Sequence, residues 1–190
     1  MRLLRCHTGV AVIEFAFLLP IFIVLLIGTV ELARFALVNQ KLDKTATTMA
    51  DFLTQRSVAR FSEMDGFANS AVQIVRPFTF DNGSVIFSAV TFRDTGTPPC
   101  AGINVSCISW QYRPTGTGNS RLGAIGGNAA FPGGYSVLPG QLAIVAEVTM
   151  DYSPMLSITG TIVPALSPQT IYKIAIFKPR QTGSLVNPPT

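Results

Sequence analysis

Charged residues are scarce in this sequence. Only 13% of its 190 residues are Asp, Glu, Lys or Arg, against about a quarter in typical soluble domains, whereas 48% are hydrophobic. The net charge of +4 is small and dispersed along the chain, so the sequence lacks the clustered basic residues typical of nucleic-acid binding. The composition therefore argues against an ordinary cytosolic enzyme, a coiled-coil rod and an acidic disordered tail.

Histidine and cysteine are also scarce. The single histidine, His7, leaves no histidine for a catalytic triad or a metal site elsewhere in the chain. Outside the first nine residues, which hold Cys6 and His7, no further Cys or His accompanies Cys100 and Cys107 to complete a structural zinc site. The glycine-rich segment 123–127 lacks the following Lys-Ser/Thr of a phosphate-binding loop. We therefore expect no metal, no cofactor and no enzymatic activity.

The sequence does contain one long apolar run. Residues 10–30 read VAVIEFAFLLPIFIVLLIGTV and carry a single charge, Glu14. As a helix this run measures about 31 Å, the thickness of a bilayer core. A cleavable secretory signal has a shorter apolar region of about 7–15 residues and a small-residue cleavage site. The run therefore predicts a retained transmembrane helix over residues 10–30.

The orientation of this helix is not decided by charge. Positive residues stand at both of its ends, namely Arg2, Arg5, Arg34, Lys41 and Lys44. Cys100 and Cys107 lie in a Gly/Pro-rich stretch and predict a small disulfide loop, as found in oxidising compartments. Two free thiols that happen to lie close are the alternative. The disulfide interpretation places residues 31–190 outside the cytoplasm.

Glu14 does not fit a plain membrane anchor. An ionised carboxylate within a membrane helix costs at least about 2.5–3.5 kcal/mol, so such residues are usually paired or functional. Glu14 stands five residues after Gly9, where a basic leader gives way to the apolar run. The alternative is a carboxylate close enough to the lipid headgroups to stay hydrated.

The leader, Gly9, Glu14 and Phe15 together resemble the type IV prepilin processing signal. More narrowly, GVAVIEFAFLLP (9–20) and GTVELAR (28–34) are similar to the TadE-like pseudopilins of the Flp (tight-adherence) pilus system. The resemblance implies a prepilin peptidase that cuts after Gly9 on the cytoplasmic face and leaves Val10 as the new N-terminus. It implies a minor pseudopilin in the bacterial inner membrane, with a periplasmic C-terminal domain and a cytoplasmic N-terminus. Expected partners are that membrane, the peptidase and sibling pilins or minor pseudopilins.

Cleavage after Gly9 would give Glu14 a role. It would remove the leader, residues 1–9, and create an ammonium group at Val10. Glu14 lies one helical turn away and can neutralise that amine in its own chain or in a neighbour's, because opposite charges in a low dielectric favour pairing. We therefore predict Glu14 and Phe15 as the subunit-docking site, with Gly9 and Val10 as the processing site.

Beyond the membrane the pattern predicts an α+β fold. Apolar residues at steps of three and four continue the helix as an amphipathic stalk over residues 31–60. A second helix is expected to begin at a capping box, Ser62–Asp65, and to end at Pro77. Residues 61–182 should form an extracytoplasmic domain, a small antiparallel sheet packed against helices. Strands are predicted at 85–92, 142–150 and 171–177, with weaker candidates at 107–112 and 156–163.

The predicted sheet has one buried face, because apolar residues alternate with polar ones along 142–150. Residues 95–140 hold ten Gly and five Pro and predict a long surface loop. Residues 183–190 predict a flexible tail. This loop supports an alternative function, a signal-anchored periplasmic module that binds glycan or protein. A tethered hydrolase using Glu147 and Asp151 is disfavoured, since on one strand they would lie about 13 Å apart.

Overall fold

The computed structural model describes residues 7–58, 60–93, 100, 103–156, 160–161 and 163–180, with side chains from Ala11 onward. The predicted α+β class, a long N-terminal apolar helix followed by a small antiparallel sheet, is confirmed. The chain forms two compact units, one comprising the chain to Leu37 with Ser153–Pro168 and the other Val38–Tyr152 with the chain from Gln169. The main elements are α1 (His7–Thr54), α2 (Phe61–Val75), β1 (Ser84–Arg93), β2 (Val105–Thr115), β3 (Leu142–Tyr152) and β4 (Gln169–Phe177).

Helix α1 covers both the predicted transmembrane segment and the predicted stalk, and it continues through Pro20. Its apolar run has a mean hydropathy of 2.7 over 18 residues, none of them buried, so the helix is long and apolar enough to cross a membrane. Further along, a stripe at helical spacing is fully buried: Val38, Leu42, Ala46, Met49 and Leu53. The helix ends at Thr54, before the predicted limit at residue 60, because this stripe ends at Leu53.

Helix α2 begins one residue before the predicted start. Its N-cap is Arg60, which makes no side-chain capping bond, and Ser62 lies inside the first turn. The predicted capping box is therefore wrong. The helix is held instead by its buried stripe and ends at Val75, because Pro77 disfavours helical backbone at the residue before it. The buried residues are Met64, Ala68, Ala71 and Val75.

The four strands form an antiparallel sheet in the order β2-β1-β3-β4. On one face Phe87 pairs with Ala146 on one side and with Tyr112 on the other. Helix α2 packs on this face, since the Phe61 ring lies 4.6 Å from the Tyr112 ring. The Tyr112 hydroxyl also donates a 2.8 Å hydrogen bond to Asp65. This face is the one that the alternation of apolar residues predicted.

The opposite face of the sheet is buried as well, so the expectation of one buried face is wrong. Residues 84–91 of β1 are all buried, whichever face they occupy. The covering layer comes from the segment that was expected to be a surface loop. Its side chains Leu122, Phe131 and Val137 are buried against the sheet, in one cluster with Val90, Ile108, Ala143 and Val145.

The weaker strand candidate at 107–112, within the predicted loop 95–140, is confirmed as β2. Gly116 follows this strand with φ +81, and a Cβ there would lie 2.3 Å from the Gly83 carbonyl oxygen. Glycine is therefore required where the chain turns back over the sheet. Residues 94–99 and 101–102 fall outside the described residues.

The weaker strand candidate at 156–163 does not form a strand in its described residues. Gly160 and Thr161 are helical, and a 3₁₀ turn follows at Pro164–Leu166. Pro154 and Pro164 flank this stretch, and proline cannot donate a ladder hydrogen bond. Residues 157–159 and 162 lie outside the described residues, as do residues 1–6 and the predicted tail at 183–190.

Candidate functional site

The predicted processing and docking residues all lie in the first three turns of α1. Gly9 and Val10 have helical backbone, and their side chains lie outside the described part of the structure. Glu14 is exposed, and Phe15 is 59% exposed. Every side chain from residue 11 to residue 26 is exposed in the same way. This surface is therefore open to lipid or to another apolar helix.

Val10 and Glu14 are separated by one helical turn. Residues at positions i and i+4 of a helix share a face, with a rise of about 6 Å along the axis. The helical backbone from His7 onward thus places positions 10 and 14 on one face of α1, one turn apart. An amine at Val10 could meet this carboxylate in its own chain or in a neighbour's, so the assignment of Glu14 to docking stays a prediction.

Glu31 is a site residue that the sequence analysis did not assign. It directly follows the apolar run and is only 2% exposed. Its Oε2 accepts a 3.1 Å hydrogen bond from the Met155 backbone N–H, and Arg34 lies 3.6 Å from its Oε1. Arg34 in turn donates a 3.3 Å bond to the Ser153 carbonyl. Glu31 and Arg34, three residues apart on α1, therefore hold the turn 153–156 against this helix.

Glu147, which the sequence suggested only for a disfavoured hydrolase, is a second buried carboxylate. It is 1% exposed and lies on the face of β3 opposite α2. It accepts hydrogen bonds from the backbone N–H of Arg121 at 2.9 Å and from the Tyr172 hydroxyl at 2.7 Å. The Ser120 hydroxyl and the Leu122 N–H also donate to it. These donors come from the covering segment and from β4. Glu147 therefore fixes the covering segment to the sheet.

Asp151 lies on the same strand, yet its carboxylate accepts hydrogen bonds from different donors. Thr170 and Asn82 hydrogen-bond its carboxylate at 2.6 and 2.9 Å, and these two bonds lower the pKa of Asp151. Glu147 and Asp151 thus each hold their own set of structural partners. Across the residues that the structure describes, no cluster of three or more His, Cys, Asp or Glu side chains is placed to hold a metal ion.

Tyr172 makes the stability of this cluster depend on pH. Burial, the hydrogen bond to Glu147 and the charge of Glu147 raise the pKa of Tyr172 well above its usual 10.0, although the Arg121 guanidinium, 4.5 Å from its ring, opposes them. Above pH 10 the unfolded chain therefore loses this proton while the folded chain keeps it. Because the folded state then binds more protons, stability falls as the pH rises through this range.

We expect the free energy of unfolding to fall by up to about 1.4 kcal/mol per pH unit from this group above about pH 10. The variant Tyr172→Phe should lose that part of the slope. Urea unfolding at several pH values measures it. Tyr112, whose pKa is raised mainly by its hydrogen bond to Asp65, contributes equally to both proteins and cancels. Identical slopes in the two proteins would contradict the placement of Tyr172.

Cys100 and Cys107 are paired as a disulfide in the structure. Their Cα atoms lie 6.1 Å apart, within the range that a disulfide spans, and both side chains are buried. Cys107 lies on β2 opposite Thr91, so the pair ties the segment before β2 to the sheet. The oxidation of this pair in the cell stays a prediction.

These features define a class of protein, an α+β domain that follows one helix able to anchor it in a membrane. Its similarity to known proteins lies in the N-terminal helix. A family model described as TadE-like protein matches residues 9–51, which confirms the TadE-like resemblance. The match covers the N-terminal hydrophobic helix and leaves the α+β domain beyond it unmatched. No curated protein and no solved structure matches the chain.

Proposed function

We propose that this protein is a non-enzymatic minor pseudopilin that helps to assemble or prime an Flp-type pilus. One observation carries the proposal: the TadE-like match falls on a helix whose apolar side chains from residue 11 to residue 26 are all exposed. A helix of this kind needs either lipid or neighbouring apolar helices around it. In the proposed topology the N-terminus is cytoplasmic and the α+β domain is periplasmic, in the inner membrane of a bacterium.

The proposed route to assembly begins with a prepilin peptidase that cuts after Gly9. The new ammonium group at Val10 and the carboxylate of Glu14 then give the helix a polar docking point within an apolar surface. Phe15, exposed beside Glu14, adds apolar contact with the neighbouring helix. The partners are other pilins or minor pseudopilins of the same system. The pairing of the Val10 ammonium group with Glu14 is supported by the high free-energy cost of an unpaired charge in lipid.

The absence of enzymatic activity is also part of the proposal. Glu147 and Asp151 were the carboxylates considered for a hydrolase, and each accepts several hydrogen bonds from the surrounding domain. Glu147 is buried under the covering segment, where it holds backbone N–H groups. Both carboxylates are therefore better explained by structure than by acid–base chemistry.

Deletion of this chain should remove Flp-type pili from cells that otherwise assemble them. The complete chain supplied in trans should restore them, because the proposed role needs both the membrane helix and the domain. Electron microscopy of the cell surface, with immunoblots of sheared pilin, measures the effect. Normal piliation after deletion would contradict the proposal and favour the anchored binding module instead.

A further inference from the structure

The turn after β3 exposes large apolar side chains. Met155 is 69% exposed and Leu156 is 42% exposed, and Val163, later in the same connection, is 41% exposed. The connection 153–168 contains no charged residue at all. Neighbouring large apolar side chains exposed in a segment without charge, such as Met155 and Leu156, are typical of an interaction site.

The position of this turn along α1 is fixed by hydrogen bonds. The Met155 N–H donates to Glu31 at 3.1 Å, and Arg34 donates to the Ser153 carbonyl at 3.3 Å. Glu31 is the residue that directly follows the predicted membrane segment 10–30. On α1 itself Val30 and Leu32 are 54% and 56% exposed at this level. The two hydrogen bonds thus place the turn beside the end of the apolar run on α1.

We propose that the turn 153–156, held on α1 by Glu31, is a second membrane contact that rests in the lipid headgroup region. The partner is the bilayer surface, since the turn joins the membrane helix at the end of its apolar run and brings no charge with it. Apolar side chains in such a position lie about 5–10 Å into the boundary between headgroups and acyl chains. This inference rests on the membrane anchoring of α1 and is independent of the pilus role.

Tryptophan quenching by brominated lipids tests this contact in the complete chain. The chain is placed in nanodiscs of phosphatidylethanolamine and phosphatidylglycerol, with and without bromine on the acyl chains. Met155→Trp should show blue-shifted emission and lose most of the added emission to the brominated lipid. Ile125→Trp is the matched control, because Ile125 is 56% exposed and lies in the other compact unit. The native Trp110 is 2% exposed and adds a constant background to the emission. This background is measured with the unsubstituted chain.

Three further variants make the outcomes decisive. Leu25→Trp, in the apolar run, gives the quenching of a residue inserted in the membrane. Adding Glu31→Ala to Met155→Trp should reduce the quenching, because the tether is lost, whereas adding Asp43→Ala should not. Quenching at position 155 no stronger than at position 125, while position 25 is quenched, would overturn the proposal. A blue shift at 155 without quenching would also overturn it, since a protein would then cover the turn.

Discussion

Replacement of Glu14 by alanine is expected to abolish piliation while the protein stays at its normal level in the membrane. The carboxylate costs at least about 2.5–3.5 kcal/mol inside a bilayer, so its removal favours insertion of the helix. The same change leaves the ammonium group at Val10 without its partner. A loss of only about 1.4 kcal/mol in docking free energy lowers the association constant tenfold. Pilus assembly that requires this protein to dock through Glu14 should therefore fail.

Asp43→Ala is the matched control for this experiment. Asp43 is an exposed acid on the same helix, outside the apolar run, and its removal should leave piliation unchanged. Immunoblots of membrane fractions must show equal amounts of both variants. Normal piliation in Glu14→Ala cells would show that Glu14 is a hydrated carboxylate near the headgroups, and it would count against docking through this residue.

Glu147→Ala should cause the largest loss of stability in the α+β domain. The substitution leaves buried donors from Ser120, Arg121, Leu122 and Tyr172 without their acceptor. Each unsatisfied buried group costs about 1–3 kcal/mol, and partial hydration of the released segment offsets some of the sum. We expect the free energy of unfolding to fall by about 3–4 kcal/mol, and by about half as much for Glu147→Gln, which keeps one acceptor oxygen.

Urea unfolding of the complete chain in detergent micelles, followed by Trp110 fluorescence, measures these losses. Trp110 lies on β2 and is buried, so its emission reports the integrity of the sheet. Asp151→Asn is the control on the same strand, with an expected loss below about 1 kcal/mol because the amide oxygen still accepts a hydrogen bond. Equal losses in Glu147→Ala and Asp151→Asn would mean that Glu147 does not hold the covering segment.

The elements with strong periodicity were predictable from the sequence. The apolar run in α1, its buried stripe from Val38 to Leu53 and the strands β1, β3 and β4 follow directly from steps of 3.6 or 2 residues. The layer that covers the second face of the sheet was not predictable in this way. Its anchors Leu122, Phe131 and Val137 are separated by irregular intervals, so they have no period to detect.

The candidate site was predictable in part for a similar reason. Glu14 is conspicuous because it interrupts an apolar run, and this signal is local in sequence. The roles of Glu31 and Glu147 depend on partners that are distant in sequence, for example Met155, which is 124 residues from Glu31. The acid–base pair Glu31 and Arg34 at the end of the run was a usable signal for the first of these. Glu147 occupies a polar position in the alternation along β3, so the pattern alone carries no sign of the donors that it meets.

The N-terminal residue of the protein in native membranes tests the central proposal most directly. Intact mass combined with N-terminal sequencing distinguishes the processed chain from the unprocessed one. We expect Val10 as the first residue, with the mass of residues 10–190, because a prepilin peptidase is proposed to cut after Gly9. A chain that still begins at Met1, in cells whose peptidase processes their other prepilins, would contradict processing and leave an anchored periplasmic binding module as the better account.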